Sequence, residues 1–100
     1  METNERIQLL LSAQRALNGN ICNGVRQVWV RKVKNKIEIR SRLALEHDAE
    51  AEECLRVAAT EMLADDPDAE ISEQFEVSDD KLKLLGAESF ELVFERYEPS

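Results

Sequence analysis

The spacing of hydrophobic residues changes at Gly24 from the period of a helix to the period of a strand. Upstream, apolar residues recur three and four positions apart, and Asn18-Gly19-Asn20 supplies a helix stop. The apolar positions of this first segment are Ile7, Leu10, Leu11, Ala13, Ala16 and Leu17. Downstream, apolar and polar residues alternate, which is typical of a strand with one buried face. The pattern predicts a helix from Glu5 to about Asn18, followed by strands.

The alternating stretch predicts a β-hairpin whose turn is centred on Lys34-Asn35. With that turn, the two residue numbers of each cross-strand pair add up to 69. On the buried face, Val30 then lies opposite Ile39, and Val28 lies opposite Ser41. The expected pairs on the other face are Trp29 with Arg40, Gln27 with Arg42 and Arg31 with Glu38.

The second half of the chain repeats the order of helix and strands. Asp48 is a candidate N-cap, and the Asp65-Asp66-Pro67 sequence ends the second helix because the residue before proline avoids the helical region. A third strand follows from Ala69 to Val77, with Glu73 on its apolar side. The fourth predicted strand has Phe90, Leu92 and Phe94 at alternate positions.

These elements predict an α+β fold in the order α-β-β-α-β-β. We expect a two-layer sandwich in which both helices pack on one face of a four-stranded antiparallel sheet. The chain has 100 residues, of which 43 % are hydrophobic, so one domain over residues 1–100 with a modest core is expected. The second face of the sheet should be open.

The charged residues are sorted into two blocks. Residues 46–80 hold 14 of the 21 Asp and Glu against the single Arg56, and residues 26–42 hold seven of the 13 Lys and Arg against the single Glu38. The net charge is −8. Such segregation steers encounters with partners more than it determines a fold. It favours a basic partner.

No motif in the sequence specifies a reaction, a metal or a cofactor. His47 is the single histidine, and Gly19, Gly24 and Gly86 are isolated, so neither a histidine-based triad nor a phosphate-binding loop is indicated. The sequence therefore predicts a binding protein rather than an enzyme.

Cys22 and Cys54 stand 32 residues apart without a second Cys or His at ligand spacing. A structural disulfide is possible, but the acidic N-terminal sequence shows no secretory pattern. No apolar run approaches the roughly 18 residues that span a bilayer. We expect a cytoplasmic protein without a membrane segment.

An acidic surface is the first candidate binding site. Its members run from the end of the second helix, along the third strand, into the next loop: Asp65, Asp66, Asp68, Glu70, Glu73, Glu76, Asp79 and Asp80. Together they could form one continuous negative surface. Such a surface suits a basic protein, and it can cover a groove that binds phosphates.

The hairpin offers an alternative site, since Trp29, Arg31, Arg40 and Arg42 would share one exposed face suited to nucleic acid. The net charge of −8 and the single aromatic argue against nucleic acid as the partner. A third interpretation stacks Arg40 on Trp29 and turns the hairpin toward the acidic segment, within the molecule or across a homodimer.

The first helix also carries a resemblance. The sequence Ile7-Gln8-Leu9-Leu10-Leu11-Ser12-Ala13-Gln14-Arg15-Ala16-Leu17-x-Gly19-x-Ile21, followed by Val25-Arg26-x-Val28, resembles the start of a family of small acidic bacterial proteins. Size, acidity and layout are also similar to immunity proteins of contact-dependent growth inhibition and related polymorphic toxin systems. That similarity implies that the chain binds and neutralises a cognate toxin domain, often a basic nuclease, by occluding its active groove.

Overall fold

The computed structural model describes residues 3–46, 48–77 and 90–96. Two helices and four strands follow one another in the predicted order. They are α1 (Thr3–Leu17), β1 (Val25–Val33), β2 (Lys36–Leu43), α2 (Ala49–Asp65), β3 (Glu70–Val77) and β4 (Glu91–Glu95). The α-β-β-α-β-β order is therefore confirmed.

Local sequence signals fix the ends of both helices. Gly19, just past the end of α1, has a φ of +117°, a conformation that a residue with a side chain adopts at a cost. Asp48 caps α2, since its carboxylate accepts a hydrogen bond of 3.0 Å from the amide of Ala51. A Cβ at Gly24 would overlap the Asp48 carboxylate, so this glycine lets the start of α2 approach the start of β1.

The hairpin has the predicted register. Val30 pairs with Ile39, Val28 with Ser41 and Trp29 with Arg40, and the remaining predicted pairs also form. Lys34 in the turn has a φ of +57°, the left-handed conformation that two-residue hairpin turns use. Hydrophobic alternation and turn position were thus sufficient to place the partners from Gln27 to Val33, whereas Val25 pairs with Leu43 after a register shift that they did not predict.

The sheet is mixed, so the prediction of a purely antiparallel sheet is wrong. Its strand order is β3-β2-β1-β4, and β3 runs parallel to β2 over the whole of both strands. The reason lies in the 26-residue connection between Leu43 and Glu70, which contains α2. A crossover of a dozen or more residues through a helix is the usual way to join parallel neighbours. The pair β1–β4 is antiparallel.

Both helices pack on one face of the sheet and against each other. The core that they share with the sheet contains Leu9, Ala13, Ala16 and Leu17 of α1, Ala51, Leu55, Ala58, Ala59 and Met62 of α2, and Val28, Val30, Ile37, Ile39 and Leu43 of the hairpin. Buried alanines on both helices allow a close approach. No helix in the described ranges is long and apolar enough to cross a membrane.

A bulge in β4 breaks the predicted alternation of its aromatic residues. Val28 pairs with Phe94 and Trp29 with Leu92, which leaves Val93 as the extra residue. Phe94 consequently packs against the helix-side core, while the buried Phe90 stacks on arginines of the opposite face. The expectation that Phe90, Leu92 and Phe94 share one face is therefore wrong.

Candidate functional site

The acidic segment lies directly against the basic hairpin within one molecule. Arg40 on β2 donates from Nε to a carboxylate oxygen of Glu76 on β3 at 2.8 Å, and its Nη2 donates to the same oxygen. Lys32 on β1 forms an ion pair of 2.6 Å with Asp66. The parallel pairing of β2 and β3 brings Arg40 close to Glu76, while Asp66 reaches Lys32 from the end of α2. Their contact within the molecule confirms part of the third interpretation of the hairpin.

Asp65, at the end of α2, is held by two donors on α1. Ser12 Oγ donates a hydrogen bond of 2.6 Å to its carboxylate, and Arg15 donates to the same oxygen. These hydrogen bonds, that of Ser12 first, lower the pKa of Asp65. Asp65 therefore ties the two helices together, and a partner cation would have to compete with Arg15.

Asp68 and Glu70 are exposed beside the hairpin turn. Asn35 holds this segment through the backbone: its side-chain amide donates to the carbonyl of Asp68, and its own carbonyl accepts from the amide of Glu70 at 2.8 Å. Within the part of the chain that the structure describes, neither carboxylate forms an ion pair. These two carboxylates can therefore meet a partner without first breaking a contact.

Glu73 occupies a different environment, on the helix-facing side of β3. It lies opposite Ile39 in the parallel register, as its position on the apolar side of the strand predicted. Its Oε1 is buried and has no hydrogen-bond partner. Burial raises the pKa of Glu73, while the charge of Arg56 on α2 acts in the opposite direction. This carboxylate is accordingly the least satisfied of the acidic groups of the predicted surface that the structure describes.

The predicted acidic surface is thus divided rather than continuous. Three members hold internal cations, two are exposed without one, and one faces the helices; Asp79 and Asp80, like His47, lie outside the described residues. Asp65 and Asp66 also line a cleft of about 240 Å³ between the helices and the hairpin. Arg15 and Lys32 neutralise both of these carboxylates, so the cleft is not a free anionic pocket.

The alternative face around Trp29 is not the exposed platform that we expected. Trp29 and Arg42 are each only 1 % exposed, and Arg31 and Arg40 are half-buried. The aromatic partner of the arginines is Phe90, whose ring centroid lies 4.3 Å from Cζ of Arg31 and 5.8 Å from Cζ of Arg40. The prediction of an exposed Trp29 face is therefore wrong: Trp29 is buried, and Arg31 and Arg40 on the same side of the sheet pack against the buried Phe90.

Cys22 and Cys54 form a disulfide, with Cα atoms 6.4 Å apart. Sequence separation concealed this pairing, because the fold sets the loop before β1 against the first half of α2. In the described ranges, no group of three or more His, Cys, Asp or Glu side chains could hold a metal ion.

One further feature was not predicted from the sequence: β3 lies at the end of the sheet, and no other strand in the described part of the chain pairs with its outer side. The length of the β2–α2–β3 connection was the signal that could have predicted it.

Comparison with protein families gives a match that covers most of the chain. A family model described as MafI2 immunity protein matches residues 6–98. A search of curated proteins found no match. The family match takes in every described strand and nearly all of α1.

Proposed function

The chain belongs to the MafI2 immunity protein family, and on this premise we propose that it binds and neutralises a bacterial toxin domain. The observation that carries the proposal is the family match over residues 6–98, which is 93 of the 100 residues. The protein would act by binding rather than by catalysis. Its mechanism is occlusion of the toxin's working surface.

The charge of the chain supports a basic toxin domain as the partner. The net charge is −8, and complementary charge speeds encounter and selects against wrong partners. A nuclease is the toxin class that fits best, since its groove must be basic to bind phosphates. We place the neutralisation in the cytoplasm, where nucleic acid is exposed to such a toxin.

Asp68 and Glu70 are the carboxylates best placed for a first contact with basic toxin residues. Both are exposed beside the hairpin turn, and neither forms an ion pair with another described residue. Asp65, Asp66 and Glu76 contribute to the negative field but already hold Arg15, Lys32 and Arg40. Asp79 and Asp80 remain members of the proposed surface by sequence position alone.

Nucleic acid is not retained as the partner, because its main support was an exposed Trp29. That side chain is 1 % exposed and cannot stack on a base without a rearrangement of the sheet.

Isothermal titration of the purified protein with its cognate toxin domain tests the proposal. A saturable one-site curve with a dissociation constant below about 1 μM is expected, and the same titration with unrelated basic protein domains should give no heat. Equal binding to the toxin domain and to the unrelated domains, or no binding to any of them, would contradict the proposal.

A further inference from the structure

Among residues 3–46, 48–77 and 90–96, the outer edge of β3 is an open row of backbone hydrogen-bonding groups. β3 ends the sheet, and no other described strand pairs with its outer side. The amide of Glu70 donates to the carbonyl of Asn35 at 2.8 Å. This hydrogen bond shows which alternate residues of β3 direct their backbone groups toward β2. Even-numbered residues of β3 therefore turn their N–H and C=O groups toward β2. The groups of Ile71, Glu73, Phe75 and Val77 point outward.

This edge is long and regular enough to accept another strand. β3 has eight residues, contains neither proline nor glycine, and pairs with β2 without a register shift. Its outward-pairing residues present an apolar surface on the helix side, where Ile71 and Phe75 pack against the core and Val77 is 44 % exposed. An added strand would extend this surface and gain main-chain hydrogen bonds. Soluble proteins usually protect such edges.

Glu73 favours an added strand that carries a positively charged side chain. Its side chain interrupts the apolar side of β3, and its Oε1 is buried without a hydrogen-bond partner. Arg56 lies nearby on α2, but it forms ion pairs with Glu52 at 3.2 Å and with Glu53 at 3.6 Å. An incoming cationic side chain would give Oε1 of Glu73 the hydrogen-bond partner that it lacks in the free protein.

We propose that the outer edge of β3 binds an extended segment of the toxin domain, and that a Lys or Arg of this segment pairs with Glu73. The inference rests on the proposed function and names the surface that performs it. A second copy of the chain is the less suitable occupant, because edge-to-edge pairing would bring two Glu73 side chains onto one apolar face. Two copies would also each carry a charge of −8.

Amide hydrogen exchange, measured by NMR on the 15N-labelled protein, tests the backbone part of the proposal. In the free protein, the amides of Ser72 and Gln74 should exchange slowly because they bond to β2. In the saturated complex with the toxin domain, the amides of Ile71, Glu73, Phe75 and Val77 should slow by at least tenfold. A complex in which these four amides keep their free rates would overturn the inference and leave the proposed function intact. Failure to form any complex would contradict both.

Two substitutions test the ion pair. Glu73→Gln, which keeps the size of the side chain, should weaken toxin binding by about tenfold, and Glu73→Lys by more than about a hundredfold. Glu50→Gln and Glu50→Lys are the matched controls, since Glu50 is exposed in the first turn of α2 and changes the net charge equally. They should alter binding by less than about threefold. Equal effects at positions 73 and 50, in variants with unchanged circular dichroism, would overturn the role of Glu73.

Discussion

Arg40 donates a 2.8 Å hydrogen bond from Nε to a carboxylate oxygen of Glu76, and this contact joins the basic hairpin to the acidic segment. The two blocks of charge in the sequence therefore face each other inside one molecule. What a partner meets is the excess of negative charge that this internal pairing leaves.

The Arg40–Glu76 contact should stabilise the fold measurably. The two side chains are only 21 % and 30 % exposed, so a double-mutant cycle with Arg40→Ala and Glu76→Ala should give a coupling free energy of about 1 kcal/mol. The Arg56–Glu52 pair within α2, whose arginine side chain is 52 % exposed, is the control, with an expected coupling of about 0.3–0.5 kcal/mol. Urea unfolding of the four proteins of each cycle measures both values. Zero coupling between Arg40 and Glu76 would contradict the geometry.

Trp29→Ala should act on stability, because Trp29 is buried in the sheet rather than displayed on it. Deleting a buried tryptophan side chain costs about 3–5 kcal/mol in free energy of unfolding. Trp29→Phe, which keeps an aromatic ring, should cost less. Chemical denaturation followed by circular dichroism gives both numbers. A Trp29→Ala protein as stable as the parent would show that the side chain is exposed after all.

Glu73 should make the fold less stable as the pH rises. Burial raises the pKa of Glu73 in the folded state, so the folded protein holds this proton more tightly than the unfolded chain. The resulting loss of stability begins near the unfolded pKa of about 4.3 and is complete above the folded value. Glu73→Gln removes the loss, and should therefore be more stable than the parent at pH 7.

Urea unfolding at pH 3.5 and pH 7 measures the effect of Glu73→Gln, with Glu50→Gln as the control. Asp65, whose pKa is lowered, loses its contribution as the pH falls, but it titrates alike in all three proteins and cancels. A Glu73→Gln advantage that is the same at both pH values would contradict the assigned environment.

Reduction of the Cys22–Cys54 disulfide should lower the free energy of unfolding. The bond closes a loop between residues 32 positions apart, for which chain entropy predicts about 3–4 kcal/mol at most. Guanidinium unfolding of the oxidised protein, the reduced protein and the Cys22→Ser/Cys54→Ser double variant measures the difference. The reduced protein and the double variant should have the same free energy of unfolding. Equal free energies for all three proteins would mean that the bond does not constrain the unfolded chain.

Association with the toxin domain should depend on salt and on the carboxylates beside the hairpin turn. Raising the ionic strength from about 0.01 to 0.15 M should slow association by tenfold or more. Asp68→Lys/Glu70→Lys should produce a similar loss at low salt. Glu50→Lys/Glu53→Lys changes the net charge equally on the outer side of α2 and should have the smaller effect. Stopped-flow rates that do not depend on salt would contradict electrostatic steering.

Local patterns in the sequence were enough to predict much of the fold. The helix ends at Gly19 and Asp48 follow from residues with specific backbone or capping preferences, and the hairpin register follows from alternation about Lys34-Asn35. Each of these features depends on residues that are close in the chain.

Features that depend on distant segments were not predicted. The parallel pairing of β3 with β2 depends on how α2 crosses the sheet between these two strands. Hydrophobic alternation does not reveal it, because the alternation is the same in parallel and antiparallel edge strands. The burial of Trp29 and the Cys22–Cys54 bond likewise require knowledge of what packs across the sheet. The division of the acidic surface was not predicted for the same reason, because Lys32 contacts Asp66 and Arg40 contacts Glu76 only in the folded molecule.

The central claim, that this immunity-family protein neutralises a toxin domain, is tested most directly by bacterial growth. Cells that express the cognate toxin domain from one plasmid would carry this protein, or an unrelated acidic protein of the same size, on a second. Our account predicts that growth is restored by this protein alone, and that restoration requires formation of the complex. Growth arrest that is equal in both strains, with the protein folded and present in excess, would contradict it.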